Sequence, residues 1–270
     1  MGWCRNSELQ PDWLRVLEEG DRIVGYGDIV VSGYTVAVEL AAPGHWDAFL
    51  EWAEAEARTR GASRVRVFFP AGLEPAVILA ARGYRLWRSA FTMQIDLGED
   101  APAAPALPPG IELREYEPTA TDSLLAALNE SFAEDPFFDE ATPSSFREFY
   151  LGARGFDPSL WLFACDRDEL SGFVLGFSQR AGQVDLGWIE SLGVRPRWRR
   201  QGLGEALLRS AIGRLHARGL RKVGLGVDAE NETGALRLYE RVGMRAVRRG
   251  DNWVLDLKPP EDARKTEPRA

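Results

Sequence analysis

Residues 194–208 read VRPRWRRQGLGEALL, and the fold turns on how that stretch is divided. An apolar run ends at Val194, arginines follow at 195, 197, 199 and 200, and Gly202 and Gly204 flank the point where helical periodicity begins. The first amides of a helix have no internal acceptors, and the helix dipole adds positive charge to them. A glycine there leaves the backbone open to close approach. Strand, basic glycine turn and helix start, in that order, make a seat for a phosphate. Two glycines alone fit an ordinary strand-to-helix turn with solvated arginines equally well, so the neighbouring elements carry the decision.

Those neighbours are regular. Apolar residues at 203, 207, 208, 211, 212 and 215 keep a helical period up to Gly219. KVGLGV (222–227) reads as a strand, Thr233–Val242 as a short helix stopped by Gly243, and NWVLDL (252–257) as an alternating strand. Upstream, IELREY (111–116), LWLFAC (160–165), SGFVLGF (171–177) and VDLGWIESLGV (184–194) read as strands. TATDSLLAALNESFAED (119–135) predicts a helix behind a threonine cap, and SSFREFYLGA (144–153) a second. The class is mixed α/β.

In this order the segments resemble the GNAT acyltransferase superfamily, whose signature R/Q-x-x-G-x-G/A lies between the fourth strand and the third helix. Arg199, Gly202 and Gly204 fill it; SGFVLGF looks like the third strand, WIESLGV the fourth, and NETGALRLYERVGM (231–244) the loop and fourth helix. A dinucleotide fingerprint would need glycine where Leu207 stands, and a P-loop would need Gly-Lys-Ser/Thr. The resemblance implies acetyl-CoA as co-substrate, with its pyrophosphate on the amides of Arg200, Gln201, Gly202, Leu203, Gly204 and Glu205 and with Arg199 completing the clamp. It implies that the pantetheine arm pairs along Leu192, Gly193 and Val194, with Asn231 beside it. Read plainly, Asn231 also fits an Asx turn.

Making an amide from a thioester needs an amine stripped of its proton, a stabilised oxyanion and a proton for the departing thiolate. Glu190 stands in an otherwise apolar strand, where an acid is costly unless it faces a cleft. Similar family members place the general base there; a Glu turned to solvent or paired with arginine is the alternative. Tyr239 matches the tyrosine that gives its proton to the CoA sulfur, yet it sits beside the stripe of Ala235, Leu238 and Val242 and also fits packing. The strand amide near Leu192 is the implied oxyanion donor. His216 reads as structural and Cys165 as a buried packing thiol. FAEDPFFDEATP (132–143) sets Glu134, Asp135, Asp139 and Glu140 among Phe137 and Phe138, a pattern that suits either an amine or a solvated loop over the core.

Residues 98–109 (GEDAPAAPALPP) hold four prolines and no apolar period, so they read as a linker between a unit at 1–97 and a catalytic unit at 110–257. The first unit repeats the back of the second. Gly61 precedes Gly219 by 158 positions, and Gly83 precedes Gly243, and Asp96 Asp256, by 160. At these offsets Ala41 falls on Arg199, Trp46 on Gly204 and Leu79 on Tyr239, so the first copy reads as truncated, degenerate and structural. Lacking an opening strand and two helices, it must lean on the second half or on another chain, which puts a homodimer among the expected arrangements. A start codon placed too far downstream would leave the same short copy. A tandem pair with one active C-terminal copy is similar to the arrangement in mycothiol synthase and its relatives, which acetylate the amine of a cysteinyl pseudodisaccharide.

Composition bounds the rest. The 270 residues are 45% hydrophobic and carry 33 basic against 41 acidic side chains, a net charge of −8 that argues against nucleic-acid binding and fits a cationic small partner. Two cysteines (Cys4, Cys165) and two histidines (His45, His216) supply neither a disulfide framework nor a metal site. The N-terminus lacks an apolar signal stretch, and Met1-Gly2 lacks the hydroxyl residue that myristoylation requires at Asn6, so a cytoplasmic protein without membrane attachment is expected. From Lys258 the chain reads as a disordered tail. The expected activity is acetyl transfer by direct attack of an unidentified primary amine. The alternatives are a CoA-binding sensor or interaction module, and transfer to a protein N-terminus or lysine.

Overall fold

The computed structural model describes residues 13–257 apart from 33, 73, 74, 101, 104, 136, 137, 139, 154, 181, 182 and 232. The expectations placed on Met1-Gly2, Cys4, Phe137, Asp139 and the segment from Lys258 fall outside the described residues. The first half forms β1 (Leu14–Glu19), β2 (Arg22–Ser32), β3 (Thr35–Ala41), α1 (Trp46–Thr59), β4 (Arg64–Pro70), α2 (Pro75–Ala81) and β5 (Arg85–Asp96). The second forms β6 (Ile111–Glu115), α3 (Thr121–Phe132), α4 (Pro143–Phe146), β7 (Trp161–Asp166), β8 (Glu169–Phe177), β9 (Leu186–Val194), α5 (Leu203–Ala217), β10 (Lys222–Asp228), α6 (Ala235–Val242) and β11 (Arg245–Asp256).

All eleven strands join one sheet in the order β1-β2-β3-β4-β11-β5-β10-β9-β8-β7-β6. The halves therefore trade their last strands: β11 lies between β4 and β5, and β5 lies between β11 and β10. The trade is symmetric to the residue. Lys222 faces Asp96 and Asp228 faces Ala90 on one side, while Arg64 faces Asp256 and Pro70 faces Gly250 on the other. These are the positions that the sequence offsets equate, and Ala90 and Gly250 face each other at the centre. The break at 98–109 thus divides the chain but not the sheet. Asp256 binds Arg64 (2.8 Å) and Arg85 (3.0 Å), and Asp96 binds Arg245 (2.5 Å) in the matching place. Exposed pairs of this kind contribute little, so they mark the symmetry more than they hold it.

Each half keeps a core on its own helix. In the first, Phe49, Leu50, Ala53 and Ala57 of α1 cover Val36, Val38, Val65 and Val67; in the second, Leu203, Leu207, Leu208, Ile212 and Leu215 of α5 cover β7, β8 and β9. The helical period read from 203 to 215 is therefore the buried face. Three local expectations change. No side chain caps α3, which a single turn at Pro118–Ala120 leads into; the threonine cap is Thr142 on Ser145 N (3.1 Å) at α4 instead. After one turn α4 widens into a π-turn at Arg147–Leu151. Strand β11 begins at Arg245, seven residues before the segment read as strand, and its first five residues, Arg245–Arg249, are exposed. The linker lies over α5, where His216 Nε2 meets Gly98 O at 3.0 Å.

Candidate active site

Strands β9 and β10 run parallel and pair through four positions, from Leu186 with Lys222 to Ile189 with Leu225. Beyond them β9 turns to β8 alone and β10 to β5 alone, leaving a wedge between Glu190–Val194 and Gly226–Asp228. Arg195 N donates to Ser171 O on β8 (3.0 Å). Backbone groups alternate edges along a strand, so Gly193 faces β8 as Arg195 does, and Leu192 and Val194 present theirs to the wedge. Gly193 is glycine for packing: a Cβ there would lie 2.3 Å from the fully buried ring of Phe173.

Glu190 sits where the pairing slips. Leu175 faces Ser191 and Gly176 faces Ile189, so Glu190 is the extra residue of a β-bulge, a device that re-aims a side chain. Its Oε2 accepts from Trp188 Nε1 at 2.9 Å. Burial raises its pKa above the usual glutamate range, opposed by the charge of Arg180 and by that hydrogen bond. The Arg180 guanidinium lies 3.5 Å from the centre of the Trp188 ring. Ser191 Oγ is 3.0 Å from Tyr150 OH, and burial, with Glu190 adding to it, pushes the Tyr150 phenol up. Sequence reading missed Trp188, Arg180, Tyr150 and Ser191. The signal for Trp188 lay in KVGLGV, since a Cβ on Gly224 would come 2.9 Å from its indole.

The arginine turn differs from its reading. Arg195 binds Glu130 (2.5 Å) and Glu169 (3.2 Å), and Arg197 binds Glu169 (3.3 Å). Arg199 donates to Val194 O (3.1 Å), Ser131 O (3.0 Å) and Glu134 (3.2 Å). Three of the four arginines thus meet this chain's own acceptors. Arg199 ties the loop to the end of α3, and it occupies the Val194 carbonyl. Arg200 is exposed at φ 61°, and no hydrogen bond or ion pair of its side chain forms among the described residues. No backbone acceptor among the described residues takes the N–H groups of residues 200–205. Gly202 holds φ 82°, and a Cβ on it would meet nothing within 4 Å. Gly204 is different: a Cβ there would come 3.3 Å from Leu238 and 3.7 Å from Val194, so its smallness lets α5, α6 and the end of β9 converge. The Leu203 side chain is buried, and Glu205 binds Arg209 (2.9 Å) and Arg241 (3.5 Å), so these two offer their amides.

Tyr239 is buried on α6, and desolvation pushes its pKa up to about 12. Its hydroxyl makes no hydrogen bond among the described residues. Asn231 forms the Asx turn, its Oδ1 taking Thr233 N (3.0 Å) and Oγ1 (2.5 Å), which leaves only its amide nitrogen for another partner. Parts of the acidic loop pack on the chain itself: Glu134 holds Arg199, Phe138 packs on Phe132 with ring centroids 5.5 Å apart, and Asn129 clasps Ala141 through both backbone groups (2.9 and 3.0 Å). Cys165 is buried and its thiol pKa raised by that burial, the state of a packing residue. Among the described residues no His, Cys, Asp and Glu side chains gather as a metal-ligand set, and no helix is long and apolar enough to cross a membrane.

A parallel wedge, an adjoining bulge and an open helix start define an acyltransferase of the mixed α/β type. The Acetyltransferase (GNAT) family model matches residues 124–244. The chain is 30% identical to a mycothiol acetyltransferase of Cellulomonas flavigena, over 86% of this chain and 70% of that protein. It is 36% identical to one of Streptomyces scabiei over 67% of this chain, and it spans 58% of that relative's length. Among solved structures it resembles a GCN5-related N-acetyltransferase from Sphaerobacter thermophilus (TM-score 0.75, 29% identity, 88% of this chain and 78% of that one). A tandem GNAT protein from the clavulanic acid biosynthesis pathway shares the fold across 94% of this chain and 86% of its own (TM-score 0.73, 18% identity). The chain belongs to the GNAT acetyltransferase family, with tandem architecture.

Proposed function

We propose that this chain is an acetyl-CoA-dependent N-acetyltransferase that acetylates the primary amine of a small molecule by direct transfer, and that its site lies in the second half. The bulge that turns Glu190 out beside the wedge, next to six unpaired amides at the start of α5, carries the reading. On this reading the pyrophosphate rests on the amides of residues 200–205, with Arg200 the cation left to meet it. The pantetheine arm pairs as an added strand with Leu192 and the Val194 N–H. Glu190 takes the ammonium proton, the nitrogen attacks the thioester carbonyl, the Leu192 amide supports the oxygen, Tyr239 protonates the sulfur as the C–S bond breaks, and the second proton shed by the nitrogen restores the phenol. A phenol with a pKa near 12 is fully protonated at neutral pH and able to give that proton.

The relatives' shared name makes the amine precursor of mycothiol the first acceptor to try. The test is thiol release from acetyl-CoA by the purified chain across a panel of primary amines that includes it. Amine-dependent release, lost in Glu190→Gln and Tyr239→Phe, supports the reading. Acetyl-CoA binding with no release for any amine would make the chain a CoA-binding module.

A further inference from the structure

We propose that Arg180 is a positioning residue of this site: stacked on the Trp188 indole, it fixes the hydrogen bond that aims the Glu190 carboxylate and supplies its counter-charge. The inference rests on reading Glu190 as the base, and it explains how a carboxylate stays ionised where burial opposes its charge.

Four observations converge. Arg180 lies 3.5 Å over the Trp188 ring, closer than the other arginine–tryptophan stacks among the described residues, which run from 4.9 to 5.7 Å. The same indole donates to Glu190 Oε2 at 2.9 Å. A cation on an indole face is attracted by the ring and leaves its edge N–H the better donor to an anion. The indole is itself fixed, because it lies across Gly224, where a Cβ would be 2.9 Å from it. Finally, Arg180 lies in the connection from β8 to β9, where its backbone pairs with that of Gln183.

The charges around Arg180 come from both halves. Burial depresses its pKa from the ordinary guanidinium value; Glu190 and Glu39 oppose that shift, and Arg248 adds to it. Glu39 is on β3 and Arg248 on β11. Around Glu190 itself, Trp188 and Arg180 favour the anion, while Tyr150, packed from the π-turn, feels that anion as a penalty on its own ionisation. Losing Arg180 therefore leaves Glu190 with burial and only the hydrogen bond against it.

The experiment follows the Trp188 indole N–H by proton–nitrogen NMR of the full chain, with Trp188→Phe identifying the signal and pH as the variable. In the wild type that signal moves as Glu190 ionises, and Glu190→Gln abolishes the movement. Arg180→Met should raise the midpoint by about one pH unit or more, a tenfold weaker acid, and Arg180→Lys should recover at least half of that shift. A folded Arg180→Met protein with the wild-type midpoint overturns the proposal; if that variant does not fold, a wild-type midpoint in a folded Arg180→Gln chain overturns it. Full thiol release by Glu190→Gln would instead defeat the base assignment and leave the titration result standing.

Discussion

Set side by side, the wedge of the second half and the matching place in the first begin alike. Strands β3 and β4 pair through four positions, Thr35 with Arg64 to Val38 with Val67, as β9 and β10 do, and then part. Gly44 repeats the left-handed turn of Gly202, at φ 77° against 82°. The differences start after the last common pair. Strand β3 has no bulge, and Glu39 stays in register opposite Asp28. Thirteen positions lead from Ile189 to Gly202, but only six from Val38 to Gly44, so the arginine turn is absent rather than replaced, and Ala41 is not the counterpart of Arg199. Trp46 packs edge-on against Phe69, on the part of β4 beyond its last pair with β3, and Leu79 is sealed in the core where Tyr239 would stand. Pairing register, which builds the sheet, is common to both halves; the bulge, the loop and the phenol belong to one.

The strongest way to break this comparison is to separate its parts. A fragment from residue 108 onward loses β5, so β10 gains a bare edge and β11 loses both neighbours. Unpaired backbone in a buried sheet is not tolerated. The fragment should be insoluble or lack a cooperative melt, and a soluble, active fragment by circular dichroism and thiol release would show that the traded strands are dispensable.

Next in size is the phenol. Tyr239→Phe should lower turnover by about 10²-fold with acetyl-CoA affinity unchanged, the pattern of an interaction made only in the departing step. Full turnover with a chemistry-limited amine would return Tyr239 to packing. For Glu190 the sign follows from its raised pKa: the carboxylate is the active form, so kcat/KM should fall as pH drops through a midpoint above the ordinary glutamate value. Glu190→Gln should be slow at all pH and lack that limb.

Smaller again is Arg199→Ala. Because the guanidinium binds Val194, Ser131 and Glu134, removing it should lower the melting temperature as well as weaken acetyl-CoA binding, at about 1.5–3 kcal/mol of lost charge-assisted contact. Loss of affinity at unchanged melting temperature would restore the clamp. Arg200→Ala should do the reverse, weakening binding modestly and leaving the melt alone.

Much of this was legible from the chain. The glycine turn, the buried period of α5 and the paired offsets of 158 and 160 all follow from spacing, because local backbone needs and one-sided burial are written in neighbouring residues. Strand trading was not legible. Periodicity says that RVRVFF and NWVLDL are strands, but their pairing joins residues as far apart as 192 positions and depends on which edge each half leaves open. Nor did the sequence tell that Glu130, Glu134 and Glu169 would claim three of the four arginines, since all of these acids arrive from other elements. The bulge at Glu190 is one residue of mismatch between two strands, visible only once both are in register.

The central claim, that one half does chemistry while the other completes the sheet, is tested most directly by calorimetric titration of the full chain with acetyl-CoA. Six open amides lie at one helix start, and Gly202 stands in open space at φ 82°. The account predicts one equivalent bound per chain, with binding lost in Gly202→Val while the melt shows the protein still folded. Two equivalents at saturation, or unchanged binding in the folded Gly202→Val chain, would contradict it.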